Sequence, residues 1–353
     1  MKKLLVILAM LAALNANAQW ASYTLPYSGI PYTHGFYDLN HGVSFGHSLS
    51  PFNEYIYYTT NSGANWIQAN YPLELRSIID VQYINGNIIY ACGAENVTFR
   101  GNYKPDKDFL TFPKHIRDRY LRSGRTEFYS EYKAAFIKST NGGLNWQRAS
   151  QFDTSKGYIM DIHFFDASTG YALIDSNSYG NTKFFKTTDS GANWQFVHRI
   201  DNAPVFGMCF IDMNTGFAYG FKNGGRIYRT TSAGVGWFVT NMASQIDGIT
   251  FLNSTTGIAI GVGDNGNLTY IYKTTNAGIN WNVINTINGR KLFSNLKSLQ
   301  NTGTAFAIGN NIDTGIQIIG KITTLKTTNY GLNWVSKEFN PMLLAYGLAL
   351  VDA

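Results

Sequence analysis

The chain has 353 residues and a formal net charge of +6; 14% of its residues are charged, 15% are aromatic and 35 residues are glycine. An average soluble chain is about 25% charged, so this composition favours short strands joined by tight turns. It excludes coiled coils, charged disordered chains and helical bundles. With eight prolines and two cysteines, it also excludes collagen-like and disulfide-scaffold proteins.

Residues 1–18 have the pattern of a secretory signal peptide. Two lysines precede a short apolar run at 4–14, and an Ala-Asn-Ala segment typical of a cleavage site ends at Ala18. We expect cleavage near Ala18, with an uncleaved anchor as the alternative. The mature protein would then be a single exported domain at 19–353, periplasmic or extracellular, without a membrane span. Cys92 and Cys209 lie in apolar segments, and buried free thiols are favoured over a disulfide.

An octapeptide, which we call the box, recurs six times along the chain. Its third copy reads Thr187-Thr-Asp-Ser-Gly-Ala-Asn-Trp194, and the copies occupy 59–66, 139–146, 187–194, 230–237, 274–281 and 327–334. Successive box tryptophans are 80, 48, 43, 44 and 53 residues apart. Repeats of about 40–50 residues with strand-like composition indicate the blades of a β-propeller.

Each repeat contains four apolar alternating runs, which predict a four-stranded blade. In the third repeat they occupy 159–165, 171–174, 183–188 and 194–197, with a turn at 166–170 between the first two. Within the box, the third side chain can accept backbone hydrogen bonds, the glycine can supply positive φ, and the tryptophan can anchor the turn. We assign structural roles to Gly63, Gly143, Gly191, Gly234, Gly278 and Gly331, and to Trp66, Trp146, Trp194, Trp237, Trp281 and Trp334.

The seventh tryptophan, Trp20, fits the same position of a further blade. It precedes Gly42 by 22 residues, as Trp194 precedes Gly216. Residues 346–352 look like a first strand, so the two termini are predicted to share a seventh blade. The chain stops where the second and third strands of that blade would begin. Truncation is favoured over a partial blade, and the sequence does not say whether a sorting domain follows.

These boxes resemble the Asp-box, or BNR, repeat Ser/Thr-x-Asp-x-Gly-x-x-Trp. The whole unit is most similar to the photosystem II assembly and stability factor family, which implies an all-β, seven-bladed propeller and binding of partner proteins through an arginine-rich patch. The resemblance covers nearly all of residues 20–353. Only Asp189 keeps the Asp of the motif, since four boxes have Asn there and one has Ser. No binding residue of the family can be assigned to this chain from the resemblance.

Asp-box propellers also include glycoside hydrolases, so an enzyme is the alternative hypothesis. The Arg-Ile-Pro motif of sialidases does not occur in this sequence. Glucan-cleaving enzymes need a carboxylate pair, for which Asp80 and Asp161 are the first-strand candidates, although an ordinary hydrogen-bonded role is favoured. The nearby His34, His41 and His47 would not converge on one metal. We therefore assign no catalytic, metal or cofactor site.

The second repeat carries an insert at about Arg100–Lys133, between its second and third strands. The insert holds nine basic and five acidic residues, whereas the rest of the mature chain balances with 17 of each. It lies on the face opposite the boxes, beside the starts of several first strands, where a basic rim could form. A solvated loop is the alternative. The candidate partner-binding residues are Arg76, Arg117, Arg119, Tyr120, Arg122, Arg125, Lys156, Arg290 and Lys291.

The sequence thus favours a secreted, non-catalytic propeller that binds a protein or glycan on its loop face. An extracellular glycoside hydrolase, sialidase-like or glucan-cleaving, remains the alternative. Basic charge alone also suits nucleic acid, but export and the neutral remainder of the chain argue against that partner. The sequence identifies neither the ligand nor the oligomeric state.

Overall fold

The protein folds as a β-propeller with six four-stranded antiparallel blades. The computed structural model describes residues 6–8, 21–23, 29–48, 54–72, 75–98, 130–152, 157–175, 181–201, 203–221, 224–263, 268–312 and 318–339. Within each blade the strands are neighbours in chain order. The first strands of successive blades contact each other, which arranges the blades around a common axis.

The strands have the following bounds. A two-stranded sheet pairs β1 (Val6–Leu8) with β2 (Ala21–Tyr23). Blade 1 contains β3 (Gly29–Phe36), β4 (Gly42–Ser48), β5 (Glu54–Thr59) and β6 (Ile67–Gln68). Blade 2 contains β7 (Leu75–Tyr83), β8 (Ile89–Thr98), β9 (Ser130–Ser139) and β10 (Gln147–Gln151). Blade 3 contains β11 (Tyr158–Phe164), β12 (Gly170–Asp175), β13 (Thr182–Thr187) and β14 (Gln195–Ile200).

The remaining three blades repeat this order. Blade 4 contains β15 (Val205–Phe210), β16 (Gly216–Phe221), β17 (Gly225–Thr230) and β18 (Phe238–Met242). Blade 5 contains β19 (Ser244–Phe251), β20 (Gly257–Gly263), β21 (Leu268–Thr274) and β22 (Asn282–Asn288). Blade 6 contains β23 (Arg290–Leu299), β24 (Thr304–Ile312), β25 (Ile318–Thr327) and β26 (Val335–Phe339).

The prediction of a seventh blade shared by the two termini is wrong, because the propeller has six four-stranded blades. The segment after Trp20, expected to be a fourth strand, forms β2 and pairs with β1 instead. Trp20 itself and residues 346–352 lie outside the described residues. The 22-residue spacing between Trp20 and Gly42 matches that of a box tryptophan. A fourth strand must also pair with a third strand of its own blade, and the spacing does not show whether one is present.

Every first strand contains a β-bulge at the same place. The extra residues are Tyr32, Ile79, Met160, Phe206, Asp247 and Ser294. A bulge bends its strand and re-aims the residues beside it. In blade 2 a Cβ on Gly93 would collide with the Ser77 carbonyl of the bulged strand, so this glycine is needed for close backbone approach rather than for a turn.

The six boxes share one hydrogen-bond pattern, seen in blade 3. The Thr187 hydroxyl accepts from the amides of Asp189 and Gly191, and the Asp189 carboxylate accepts from the Asn193 amide. Equivalent bonds occur in the other five boxes, including the one with Ser at the third position. The predicted positive φ of the glycine is confirmed, and the preceding residue, such as Ser190, has it too.

The boxes of blades 2–6 pack against the preceding blade, whereas Trp66 of blade 1 lies edge-on to Phe36 of its own blade. Trp194 of blade 3 lies edge-on to Phe136 of blade 2, with ring centroids 5.3 Å apart, and Trp237 of blade 4 contacts Phe184 of blade 3 at 4.7 Å. A side chain at Gly191 would likewise clash with Phe136. The hydrophobic core therefore lies between blades rather than within each of them.

We predict that Gly191→Ala destabilises the protein by roughly 2–4 kcal/mol, because alanine disfavours the positive φ and its methyl group overlaps Phe136. The measurement is the urea unfolding midpoint, followed by tryptophan fluorescence. Gly289→Ala is the matched control: its φ is +87°, but nothing lies within 4 Å of its Cβ position, so only the backbone cost of about 1–2 kcal/mol remains. Equal losses in the two variants would contradict the packing argument.

Candidate functional site: the loop face and the axial carboxyl pair

One face of the propeller carries the boxes, which are hydrogen-bonded to neighbouring turns, and the other face carries loops. The boxes lie at the same end of each blade as the turn between its first two strands, and the two are joined by hydrogen bonds such as that from the Ser190 amide to the Ser168 carbonyl. All six blades have this bond. The other end, the loop face, carries the loops between second and third strands and the connections between blades.

At the loop face, the hairpin formed by β8 and β9 of blade 2 is longer than the corresponding hairpins of the other blades. Strands β8 and β9 continue their pairing through Glu95–Lys133 to Thr98–Ser130, and we call this extension the stem. Arg148 forms an ion pair with Glu95 at 2.6 Å, which ties the base of the stem to β10. Residues 99–129, between the two stem strands, lie outside the described residues. The candidate binding residues Arg117, Arg119, Tyr120, Arg122 and Arg125 lie there and stay predictions.

The other candidate residues of the basic rim are placed differently from one another. Arg76 lies in β7 and Arg290 begins β23, but their side chains, and all of Lys156, are outside the described part. Lys291 is only 7% exposed. Its ammonium group donates to Glu338 at 2.8 Å and to Thr323 and Asn311 at 3.1 Å. Its charge is thus compensated within blade 6 rather than presented to a partner.

A pair of carboxyl groups lies near the propeller axis. Asp80 and Asp161 each follow the bulge of their first strand, in the neighbouring blades 2 and 3. Asp161 Oδ2 accepts from the Met208 amide of blade 4 at 2.6 Å, and Asp80 Oδ2 accepts from the Ile162 amide of blade 3 at 3.4 Å. Burial, reinforced by the charge of Asp80, holds the pKa of Asp161 well above its usual range.

Further titratable side chains surround this pair. The absence of a side chain at Gly207 lets the Tyr219 hydroxyl approach Asp161, and burial raises the pKa of this phenol. Burial also raises the pKa of Cys209 to about 12 and lowers that of His163 to about 4, the latter with help from Lys297. Both cysteines are free thiols. A thiol and an imidazole with these pKa values are neutral at pH 7, which disfavours nucleophilic chemistry here.

The arrangement of the axial pair is suited to joining blades 2, 3 and 4. Each carboxyl group accepts a backbone amide of the next blade, which links blade 2 to blade 3 and blade 3 to blade 4. The sequence pattern indicated Asp80 and Asp161 as carboxyl candidates and Cys209 as a buried thiol, but nothing in it indicated Tyr219. No sequence signal marks the bulges that bring these residues together.

The described residues contain no group of three His, Cys, Asp or Glu side chains that could hold a metal ion. In blade 1, His34 is buried with a pKa lowered to about 4 by burial, while His41 is exposed and contacts Asp38. Nor does this part of the chain include a helix with the length and hydropathy required to cross a membrane.

Solved structures resemble this chain in fold. No protein-family model and no curated protein matches it. A structure of YCF48 bound to D1 peptide superposes with a TM-score of 0.58 at 16% identity, covering 94% of this chain and 86% of that one. A GH74 xyloglucanase from Xanthomonas campestris gives 0.57 at 12% identity, covering 90% of this chain and 46% of that one. An ancestral GH74 enzyme gives 0.54 at 16%, with coverages of 88% and 38%.

These likenesses establish the β-propeller fold, because the identities are too low to carry function. This chain spans less than half the length of either GH74 enzyme.

We predict that Asp161 makes folding less favourable as the pH rises. Its pKa is higher in the folded than in the unfolded chain, so the folded state binds more protons above about pH 4, and stability falls until the folded pKa is passed. Asp161→Asn keeps an acceptor for the Met208 amide and should flatten this decline in melting temperature between about pH 4 and pH 8.

Asp166→Asn is the control for this experiment. Hydrogen bonds from Ser168 and Thr169 lower the pKa of Asp166, so its contribution is lost as the pH falls rather than as it rises. An unchanged pH profile in Asp161→Asn would show that the carboxyl pair is not the source of the decline.

Proposed function

We propose that this protein is an exported, non-catalytic propeller that binds a partner on its loop face. The observation that carries the proposal is the stem, in which β8 and β9 stay paired up to Thr98–Ser130, on both sides of the most basic segment of the sequence. The insert at residues 100–133 accounts for the excess positive charge of the mature chain.

A protein partner is favoured over a glycan. The YCF48 structure, described as bound to D1 peptide, shows that a propeller of similar size can hold a peptide. Clustered arginines with interleaved aromatic residues suit an acidic peptide surface, since guanidinium groups bind carboxylates in a bidentate manner. The glycan remains the second ligand class, because aromatic side chains also stack on sugars.

The repeats are proposed to be of the Asp-box type. The hydrogen bonds of the box provide the support: a hydroxyl at the first position and an oxygen at the third each accept backbone amides in all six copies. Asn and Ser replace Asp without loss of these bonds, so five departures from the motif leave the turn intact. Export after cleavage near Ala18 is proposed on the pattern of residues 1–18.

A glycoside hydrolase is the second candidate, favoured by the GH74 likeness and by the presence of an axial carboxyl pair. The hydrogen bonds of these two carboxyl groups argue against hydrolase activity. Each carboxyl group accepts a backbone amide of the next blade, so both are engaged in contacts between blades.

We predict that alanine at Arg117, Arg119, Arg122 and Arg125 together weakens partner capture at least about tenfold, a loss of about 1.4 kcal/mol. The measurement is pull-down from culture medium with the tagged mature chain, quantified against input. The matched control replaces Lys138, Lys186, Lys273 and Lys326, which precede boxes on the opposite face, and removes the same charge. Equal losses would indicate a nonspecific charge effect, and unchanged capture by the arginine variant would reject the insert as the binding element.

We also predict that the mature protein releases no reducing sugar from xyloglucan or other β-glucans and no sialic acid from sialyllactose. Because the axial carboxyl groups are committed to the blade contacts, any trace of release should be equal in the wild type and in the Asp80→Asn/Asp161→Asn double variant. Release that depends on these two aspartates would establish the hydrolase instead.

A further inference from the structure

The fourth strand of each blade is an outer edge, and most of these edges carry a feature that hinders pairing with another strand. Strand β6 has only two residues. Strands β10, β14 and β22 each contain an extra residue that breaks the register, at Ala149, Val197 and Ile284. Strand β26 is regular but contains Lys337 and Glu338. Short length, bulges and charges are the usual protections of an exposed edge.

Strand β18 of blade 4 alone, among the fourth strands that the structure describes, has none of these protections. Its five residues pair with β17 without a register shift. The sequence contains no charged residue between Arg229 and Asp247. Phe238 and Val239 are 67% and 50% exposed, and the nearby Val235 of the box is 67% exposed. Blade 4 therefore presents an extended, uncharged and apolar edge to solvent.

We propose that β18 pairs antiparallel with β18 of a second copy of this chain, joining two propellers edge to edge across a twofold axis. In the symmetrical register centred on Thr240, Phe238 lies opposite Met242 of the second copy and Val239 lies opposite Asn241. Each backbone group that points outward from one edge then meets its complement on the other. The exposed rings and methyl groups of the two edges bury each other.

The absence of charged residues along this edge favours a second copy of this chain over a different partner. In a twofold pair the residue on the axis faces its own copy, so a lysine or glutamate at that position would meet a like charge. The neutral segment between Arg229 and Asp247 satisfies this requirement, whereas β26, the other regular edge, would bring Lys337 and Glu338 into the contact. The edge contains nothing that would select an acidic or a basic partner.

The association is tested by sedimentation velocity of the full mature chain between about 1 and about 100 µM, the range in which small interfaces dissociate. The wild type is expected to form dimers as concentration rises, and Val239→Lys to weaken dimerisation at least about tenfold. Val283→Lys is the matched control: Val283 is 47% exposed and lies on the bulged edge β22, so the dimer should persist. Near-ultraviolet circular dichroism checks that each variant keeps its tryptophan packing.

A charge exchange on the twofold axis provides an independent readout. Thr240→Lys and Thr240→Glu should each be monomeric alone and form a mixed dimer when combined, because the axis then holds one charge of each sign. A wild type that stays monomeric, including one that instead captures an uncharged extended peptide, would overturn the proposal. So would dimers that survive Val239→Lys, or that Val283→Lys disrupts equally, or a mixture of the Thr240 variants that stays monomeric.

Discussion

The contact between the boxes of blades 2–6 and the preceding blade is the interaction on which the rest of this structure depends. A four-stranded sheet cannot bury both of its faces alone, so each blade needs a neighbour at a fixed distance and angle. Gly191 and Trp194 set both quantities for blades 2 and 3, since one permits close approach to Phe136 and the other packs edge-on against it. The box is a turn that also serves as an interblade contact.

The packing of the first strands around the axis is a second constraint. The bulges of these strands accommodate it, and ionisable side chains become buried there. Every first strand has a bulge, and in blades 2 and 3 the residue after the bulge reaches across a blade boundary. At blades 2 and 3 these residues are Asp80 and Asp161, whose carboxyl oxygens accept amides of the next blade. Burial and the neighbouring charge of Asp80 raise the pKa of Asp161, so this blade contact disfavours the charged form of that carboxyl group.

Sequence reasoning succeeded where structure is local and failed where it depends on pairing partners. The strands predicted at 159–165 and 171–174 correspond to β11 and β12, because alternation and turn residues act over a few positions. The positive φ of Ser190 was missed, since it arises from the geometry of the whole box. Trp20 misled the blade count, because a spacing match cannot reveal that the next segment pairs with β1. Lys291 was predicted to lie on an exposed basic rim. No residue near it in the sequence indicates its ion pair with Glu338, which is 47 residues further along the chain.

These constraints explain why the individual features of this chain are concentrated at the loop face. On the box face, an insertion would break the bond from each box to the neighbouring turn and displace a tryptophan from the preceding blade. Between second and third strands, by contrast, an insertion adds only loop-closure entropy, which grows slowly with length. In blade 2 the sequence carries its insert at this position, and the Arg148–Glu95 ion pair ties the base of the stem to β10. Residues added between second and third strands therefore need not alter the contacts that hold the blades together.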